Sequence, residues 1–113
     1  MNRDLVYLLD TLQAARLAVS YVEGVVEEMG LQDTQRQDSV IRRIEIIGEA
    51  ARRISPQTRT AYPDIPWNAM IGMRNLMIHD YDDVDLQTVW RTVQHDLPAL
   101  IARLEPLVPP EEL

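Results

Sequence analysis

The chain has 113 residues, a formal net charge of −7 and no cysteine. A domain of this size buries roughly two-thirds of its surface, so it needs no disulfide framework or metal to fold, and without cysteine it has no thiolate metal site. The acidic balance argues against non-specific nucleic-acid binding. No stretch approaches the roughly 18 apolar residues of a membrane span, and Asp4 and Asp10 interrupt the start where a signal peptide would be apolar; a cytoplasmic, soluble single domain over 1–113 is expected.

Leu5, Leu8, Leu12, Ala15, Val19, Val22, Val26 and Met29 alternate steps of three and four. That is the seam of a helix packed at a shallow angle on its neighbours. It predicts a helix from about 2 to 29, roughly 40 Å long, stopped by Gly30. Val40, Ile44, Ile47, Ala51 and Ile54 repeat the pattern. Asp33 or Thr34 would cap this second helix, and Ser55-Pro56 would end it. Ile41 and Ile46 lie off the stripe, so the helix is apolar on more than one side and is either central or packed against a second chain. Gly48, Ala50 and Ala51 would let another helix come close, the best reason to accept the ~1 kcal/mol that glycine costs inside a helix.

Ser55-Pro56 can also open one short helical turn, and "YPDIPW" must be a loop. A third main helix starts near Pro66 or Trp67 and runs through "NAMIGMRNLMI", with Met70, Met73 and Met77 on one side as core or interface filling. The run "DYDDVD" breaks the pattern, and one of its aspartates caps a last helix carrying Leu86, Val89, Val93, Leu97, Leu100 and Leu104. Pro98 should kink that helix, and the tail over 106–113 should fray. Nothing alternates with period two. The fold class is all-α, an antiparallel bundle of four long helices plus a short one.

All eleven basic residues are arginine, and six of them (Arg36, Arg42, Arg43, Arg52, Arg53, Arg59) fall between 36 and 59, opposed there by Asp38, Glu45 and Glu49. The planar guanidinium suits phosphate. The plainer reading is an ordinary solvated helix face.

The stretch "RNLMIHDYDD" (74–83) is the candidate site. Histidine exchanges a proton near neutral pH, and arginine holds phosphate and stabilises charge as it builds there. On RNA these two suffice without a metal: a base takes the proton of the 2′-OH, that oxygen attacks phosphorus, and an acid protonates the leaving 5′ oxygen. DNA lacks the attacking group. The only two histidines, His79 and His95, are sixteen positions apart, a poor set for a tight zinc or two-metal site, so neither metal nor cofactor is expected. The plain alternatives are a helix-capping His79, a packed Tyr81, a solvated His95, and an acidic loop that would repel RNA. Geometry adds a constraint. Five residues along an α-helix turn about 140° beyond one full circle, so Arg74 and His79 of one regular helix could not grip one phosphate. Either the helix ends before His79, or Arg74 of one chain meets His79 of a second across a two-fold axis.

"RNLMIHDY" resembles the R-x4-H-x-Y motif of the HepT-like toxins of the HEPN superfamily. "DSVIRRIEIIGEAARRIS" (38–55) is similar to that family's second helix, and residues 63–100 are similar to the rest of its domain. The resemblance implies a HEPN-like helical homodimer with the two motifs facing across a cleft. It implies a metal-independent ribonuclease toxin acting on RNA, often tRNA. It implies Arg74 and His79 as the catalytic pair, Asn75 as a supporting residue, and Tyr81 as the residue to which a partner nucleotidyltransferase antitoxin attaches AMP. The competing reading is a non-catalytic helical subunit that helps a nucleotidyltransferase position its substrate.

Overall fold

Each run of three-and-four spacing folds as helix over most of its length, and the described residues contain no strand. The structure, a computed structural model, describes residues 3–79 and 84–109, with Ile78 and His79 described by their backbone alone.

Helix α1, Arg3–Val22, buries Leu8, Leu12, Ala15, Ala18 and Val22 along its seam. It stops well short of the expected residue 29. The reason is Gly24, whose φ of 74° supplies the left-handed residue that ends a helix and that a side chain would resist. Val26 and Met29 continue the spacing in number only, and are 61% and 68% exposed. A short α2, Glu27–Gly30, follows. Gly30 is therefore not the stop of a long first helix. A Cβ there would lie 2.0 Å from Cζ3 of Trp90, so the bare residue makes room for the indole.

Helix α3, Thr34–Arg53, is capped by Asp33, which accepts from the Arg36 N–H at 3.1 Å. It is the central helix, packed on α1 on one side and on α5 on another; Val40, Ile41, Ile44, Ile47, Gly48, Ala50 and Ala51 are buried. It runs antiparallel to α1: Arg36 near its start donates to the Tyr21 carbonyl near the end of α1, while Asp4 near the start of α1 meets Ser55 just past its end. Ser55 then caps the short helix α4, Pro56–Ala61. The buried Trp67 closes the "YPDIP" loop by donating Nε1–H to the Tyr62 carbonyl at 3.1 Å and opens α5, Trp67–His79. Met70 and Met77 are buried and Met73 half-buried, as core filling requires.

Asp85 is the capping aspartate of α6, Leu86–Arg91, accepting from the Gln87 N–H and the Thr88 hydroxyl, each at 3.0 Å. The chain then passes through a π-helical turn, Thr92–Asp96, into α7, Leu97–Leu104, and a 3₁₀ turn, Glu105–Leu107. The irregularity expected at Pro98 sits just ahead of it. Proline has no N–H to continue the α pattern, and the Leu97 N–H bonds back to the Thr92 carbonyl in a wider turn. The tail does not fray from 106: Val108 is 3% exposed and belongs to the core. Residues 110–113 lie outside the described residues. The buried apolar residues form one cluster contributed by every long helix.

Asp4 is buried at the foot of α1. Its carboxylate accepts from the Ser55 N–H at 3.1 Å and from the hydroxyls of Ser55 and Thr58, tying α1 to the α3–α4 junction. Burial pushes its pKa up, but the bonds from Ser55 and Thr58 outweigh that and hold it below the ordinary value. A depressed carboxylate contributes stability that is fully present above about pH 4, the ordinary Asp value, and is lost as pH falls through the lowered folded value. Asp4→Asn should therefore cost about 1–3 kcal/mol at pH 7, and less in acid well below the ordinary carboxylate range. Urea unfolding of both proteins at the two pH values checks this; an equal loss at both would show that the charge of Asp4 plays no part.

Candidate active site

The position of Arg74 is set by a glycine on another helix. A Cβ on Gly48 would lie 2.0 Å from Cβ of Arg74 and 2.7 Å from the Met70 carbonyl oxygen. Helix α5 therefore rests on bare α3 backbone, and the stem of Arg74 crosses it there. The next residue of α3, Glu49, then faces the guanidinium.

Arg74 Nη2 lies 3.1 Å from Glu49 Oε2, and Nη1 donates to Asn75 Oδ1 at 3.0 Å. The other carboxylate oxygen of Glu49, Oε1, meets Arg52 Nη2 at 3.2 Å and Arg53 Nη2 at 2.9 Å. Oε2 is buried and takes no well-aligned hydrogen bond, so the charge of Arg74 is what answers it. Burial pushes the Glu49 carboxyl up, while the bonds from Arg53 and Arg52 and the charges of Arg52 and Arg74 hold it below the ordinary glutamate value. The arrangement is one ionised carboxylate among three guanidiniums. Beside it runs a groove of about 310 Å³ between α1 and α5, floored by α3, with Tyr7, Asp10, Arg42, Arg53 and Arg74 in its walls.

The arginine-rich window divides between its two readings. Arg36 pairs with Asp33 and donates to the Tyr21 carbonyl, and Arg59 donates to the carbonyls of Ala51 and Arg52 at the end of α3. These two are structural. Arg42, 3.6 Å from Glu45, and Arg52 and Arg53 remain well exposed around the groove.

The remaining motif residues are placed less completely. Asn75 is exposed and touches Arg74. His79 is the last residue of α5, and its side chain lies outside the described residues, as does Tyr81. The helix does not end before His79, which removes the first of the two routes by which one chain could bring Arg74 and His79 together. His95 is exposed on the π-helical turn. Among the described residues no group of three histidines or carboxylates gathers that could hold a metal, and no helix is long and apolar enough to cross a membrane. Glu49 is the residue the spacing of the sequence did not single out. Its one signal was local: it lies three and four residues ahead of Arg52 and Arg53, the spacing at which side chains meet on a helix.

Residues 11–107 match the family model described as Ribonuclease HepT-like. The chain belongs to the HepT-like ribonuclease family. Three relatives agree with it in length as well as in sequence. The "Probable ribonuclease HepT" of Thermococcus cleftensis is 39% identical over 101 residues, which is 89% of this chain and 92% of that one. A provisionally named RNase of Methanocaldococcus jannaschii is 32% identical, over 88% of this chain and 91% of its own. Another, from Caldanaerobacter subterraneus, is 28% identical over 94% and 95%. No solved structure matches. In this HepT-like chain the family motif thus begins at the arginine that Gly48 seats.

Gly48→Ala tests that seating. Alanine gains about 1 kcal/mol in helix propensity, but its methyl must displace the α5 backbone, an overpacking cost of typically 1–3 kcal/mol or more. The variant should be less stable than the parent in urea unfolding. A variant of equal or greater stability would show that α5 does not rest on this residue.

Proposed function

We propose that this HepT-like chain is a metal-independent endoribonuclease toxin that cuts RNA, tRNA included, through attack of the 2′-OH on the adjacent phosphate. The observation that carries the reading is Arg74, held by Gly48, Glu49 and Asn75 at the edge of an arginine-lined groove, within a family named for ribonuclease. Arg74 donates to the non-bridging oxygens as the pentacoordinate phosphorus gains charge. His79 takes the 2′-hydroxyl proton, the O2′–P bond forms, the P–O5′ bond breaks, and an imidazolium returns a proton to the leaving oxygen. The products are a 2′,3′-cyclic phosphate and a free 5′-hydroxyl. Asn75 supports Arg74.

The working unit is a homodimer in which Arg74 of one chain faces His79 of the other. Support comes from α5, which is committed to α3 on one side only. Asn68, Ala69, Gly72, Asn75 and Leu76 are exposed on it. A Cβ on Gly72 would meet nothing within 4 Å. A further groove of about 530 Å³, with Ile44, Met70, Met73, Leu97 and Leu100 in its walls, opens between α5 and α7. An uncovered face of small and polar residues beside a largely apolar groove fits a second copy.

One experiment tests the chemistry and the dimer together. Cleavage by the parent chain should survive excess EDTA, fail on 2′-O-methyl RNA, and leave cyclic phosphate ends. Arg74→Ala and His79→Ala should each be inactive. The two variants refolded as a mixture should recover about a quarter of parental activity, because half the dimers are mixed and each mixed dimer has one intact Arg74–His79 pair. Loss of cutting in EDTA that Mg²⁺ restores would replace the 2′-OH route with a metal-activated water. No recovery in the mixture would place both residues in the same chain's site.

A nucleotidyltransferase antitoxin is proposed as the partner that silences the site by transferring AMP from ATP to Tyr81: the hydroxyl oxygen bonds the α-phosphorus, the bond from that phosphorus to the β-phosphate oxygen breaks, and pyrophosphate leaves. A bulky anion two residues from His79 would block and repel an RNA phosphate. Co-expression with an adjacent nucleotidyltransferase gene should raise the mass of the chain by one or more adenylyl groups on Tyr81 in peptide mass spectrometry. An unmodified Tyr81 in a chain that the partner nonetheless silences would rule this mode out.

A further inference from the structure

We infer that Glu49 is a positioning residue for Arg74, and that Arg52 and Arg53 are there to let it do so without cancelling the charge of Arg74. The inference rests on Arg74 being a catalytic residue. Arginine on a flexible stem must be ordered before it can serve a transition state, and ordering it during the reaction costs side-chain entropy. Two contacts order it in advance. Nη2 is 3.1 Å from Glu49 Oε2, and Nη1 donates to Asn75 Oδ1 at 3.0 Å. A guanidinium has five N–H donors, so one bond to Asn75 and an ion pair to Glu49 leave donors over for a phosphate. Gly48 removes the remaining freedom, since the stem of Arg74 lies against the bare backbone beside Glu49.

A carboxylate alone would be a poor choice for this role. It would repel the RNA phosphate that Arg74 must attract. The other carboxylate oxygen resolves the conflict. Oε1 is met by Arg52 at 3.2 Å and Arg53 at 2.9 Å. Three guanidiniums against one carboxylate leave the cluster at +2, and Arg42 and Glu45 beside it pair with each other at 3.6 Å. Among the described residues, Asp10 on the groove wall lowers the local sum to +1 without reversing it. Arg74 therefore gains a fixed orientation within a patch that stays positive on a chain of net charge −7. The same geometry accounts for the arginines at 52 and 53, which the catalytic step itself does not use.

Glu49→Gln separates positioning from simple electrostatics because the two predict opposite signs. Removing a negative charge beside the groove should leave RNA binding equal or tighter. Losing the partner of Arg74 should lower the chemical step. With a fluorophore–quencher oligoribonucleotide that the parent chain cuts, kcat should fall about tenfold or more, while KM stays level or drops. Urea unfolding of the variant should remain cooperative, showing that the fall is not loss of fold. Glu49→Asp, which keeps the charge on a shorter arm, should recover part of kcat. A Glu49→Gln variant with parental kcat would overturn the inference, as would one whose loss lies entirely in KM. Arg74→Ala is measured alongside. If it cuts RNA like the parent, the reading of Arg74 fails and Glu49 has nothing to position. If it is inactive while Glu49→Gln is unimpaired, the inference about Glu49 alone fails.

Discussion

The site depends on the absence of one methyl group. At Gly48 the α5 backbone comes so near to α3 that a Cβ would sit 2.0 Å from Cβ of Arg74. Because α5 lies there, the residue after the glycine on α3 faces the first residue of the R-x4-H-x-Y motif. Packing and the setting of Arg74 are thus governed by adjacent residues, Gly48 and Glu49, on the central helix of the bundle. Glycine inside a helix is a weak helix former, and α3 carries the cost where the contact demands it. The rest of α3 compensates. Its N-terminal cap, its buried isoleucines and the Arg59 contacts at its C-terminal end all stabilise the same twenty residues.

The charge of the chain is distributed in a way that its total conceals. Glu23, Glu27 and Glu28 are exposed around the turn between α1 and α2. Asp85 is used up as a helix cap and Asp4 as a buried tie. Five of the eleven arginines lie on α3, and two of these, Arg52 and Arg53, share the Glu49 carboxylate with Arg74. An exposed ion pair contributes little to stability, so the pairs at Glu49 are better understood by what they orient than by what they hold together. Arginine in place of lysine matters here, because each guanidinium can satisfy a carboxylate with one edge and still offer N–H groups elsewhere.

Much of this was legible in the sequence, and the failures share a cause. Asp33, Ser55 and Trp67 mark element boundaries correctly because capping and loop closure are local. The close approach at Gly48 was legible too, since a glycine among alanines on a helix needs a reason. The end of α1 was not. The three-and-four spacing runs on through Val26 and Met29, and only the left-handed φ of Gly24 reveals the break. Gly30 looked like that break but answers to Trp90, sixty residues away. The docking of Val108 likewise depends on contacts that spacing does not encode. Glu49 was hidden for the same reason: its link to Arg52 and Arg53 is local, but its link to Arg74 exists only once α5 has packed.

A helix that carries an arginine and a histidine five residues apart turns them about 140° from each other. One helix therefore has one side for each residue. In α5 the side bearing Arg74 is spent on α3, and the helix reaches His79. If both residues are to act on one phosphate, a second helix must supply the missing one. The simplest source is another copy of α5 related by a two-fold axis, because self-complementarity then provides both halves from a single sequence. The uncovered residues of α5, small at Ala69 and Gly72 and apolar at Leu76, are what such a contact needs. In the proposed homodimer the spacing of the motif, which looks wrong for a site within one chain, would be what makes two chains necessary, and the ion pair that fixes Arg74 from within its own chain would leave the remaining side of α5 for the partner.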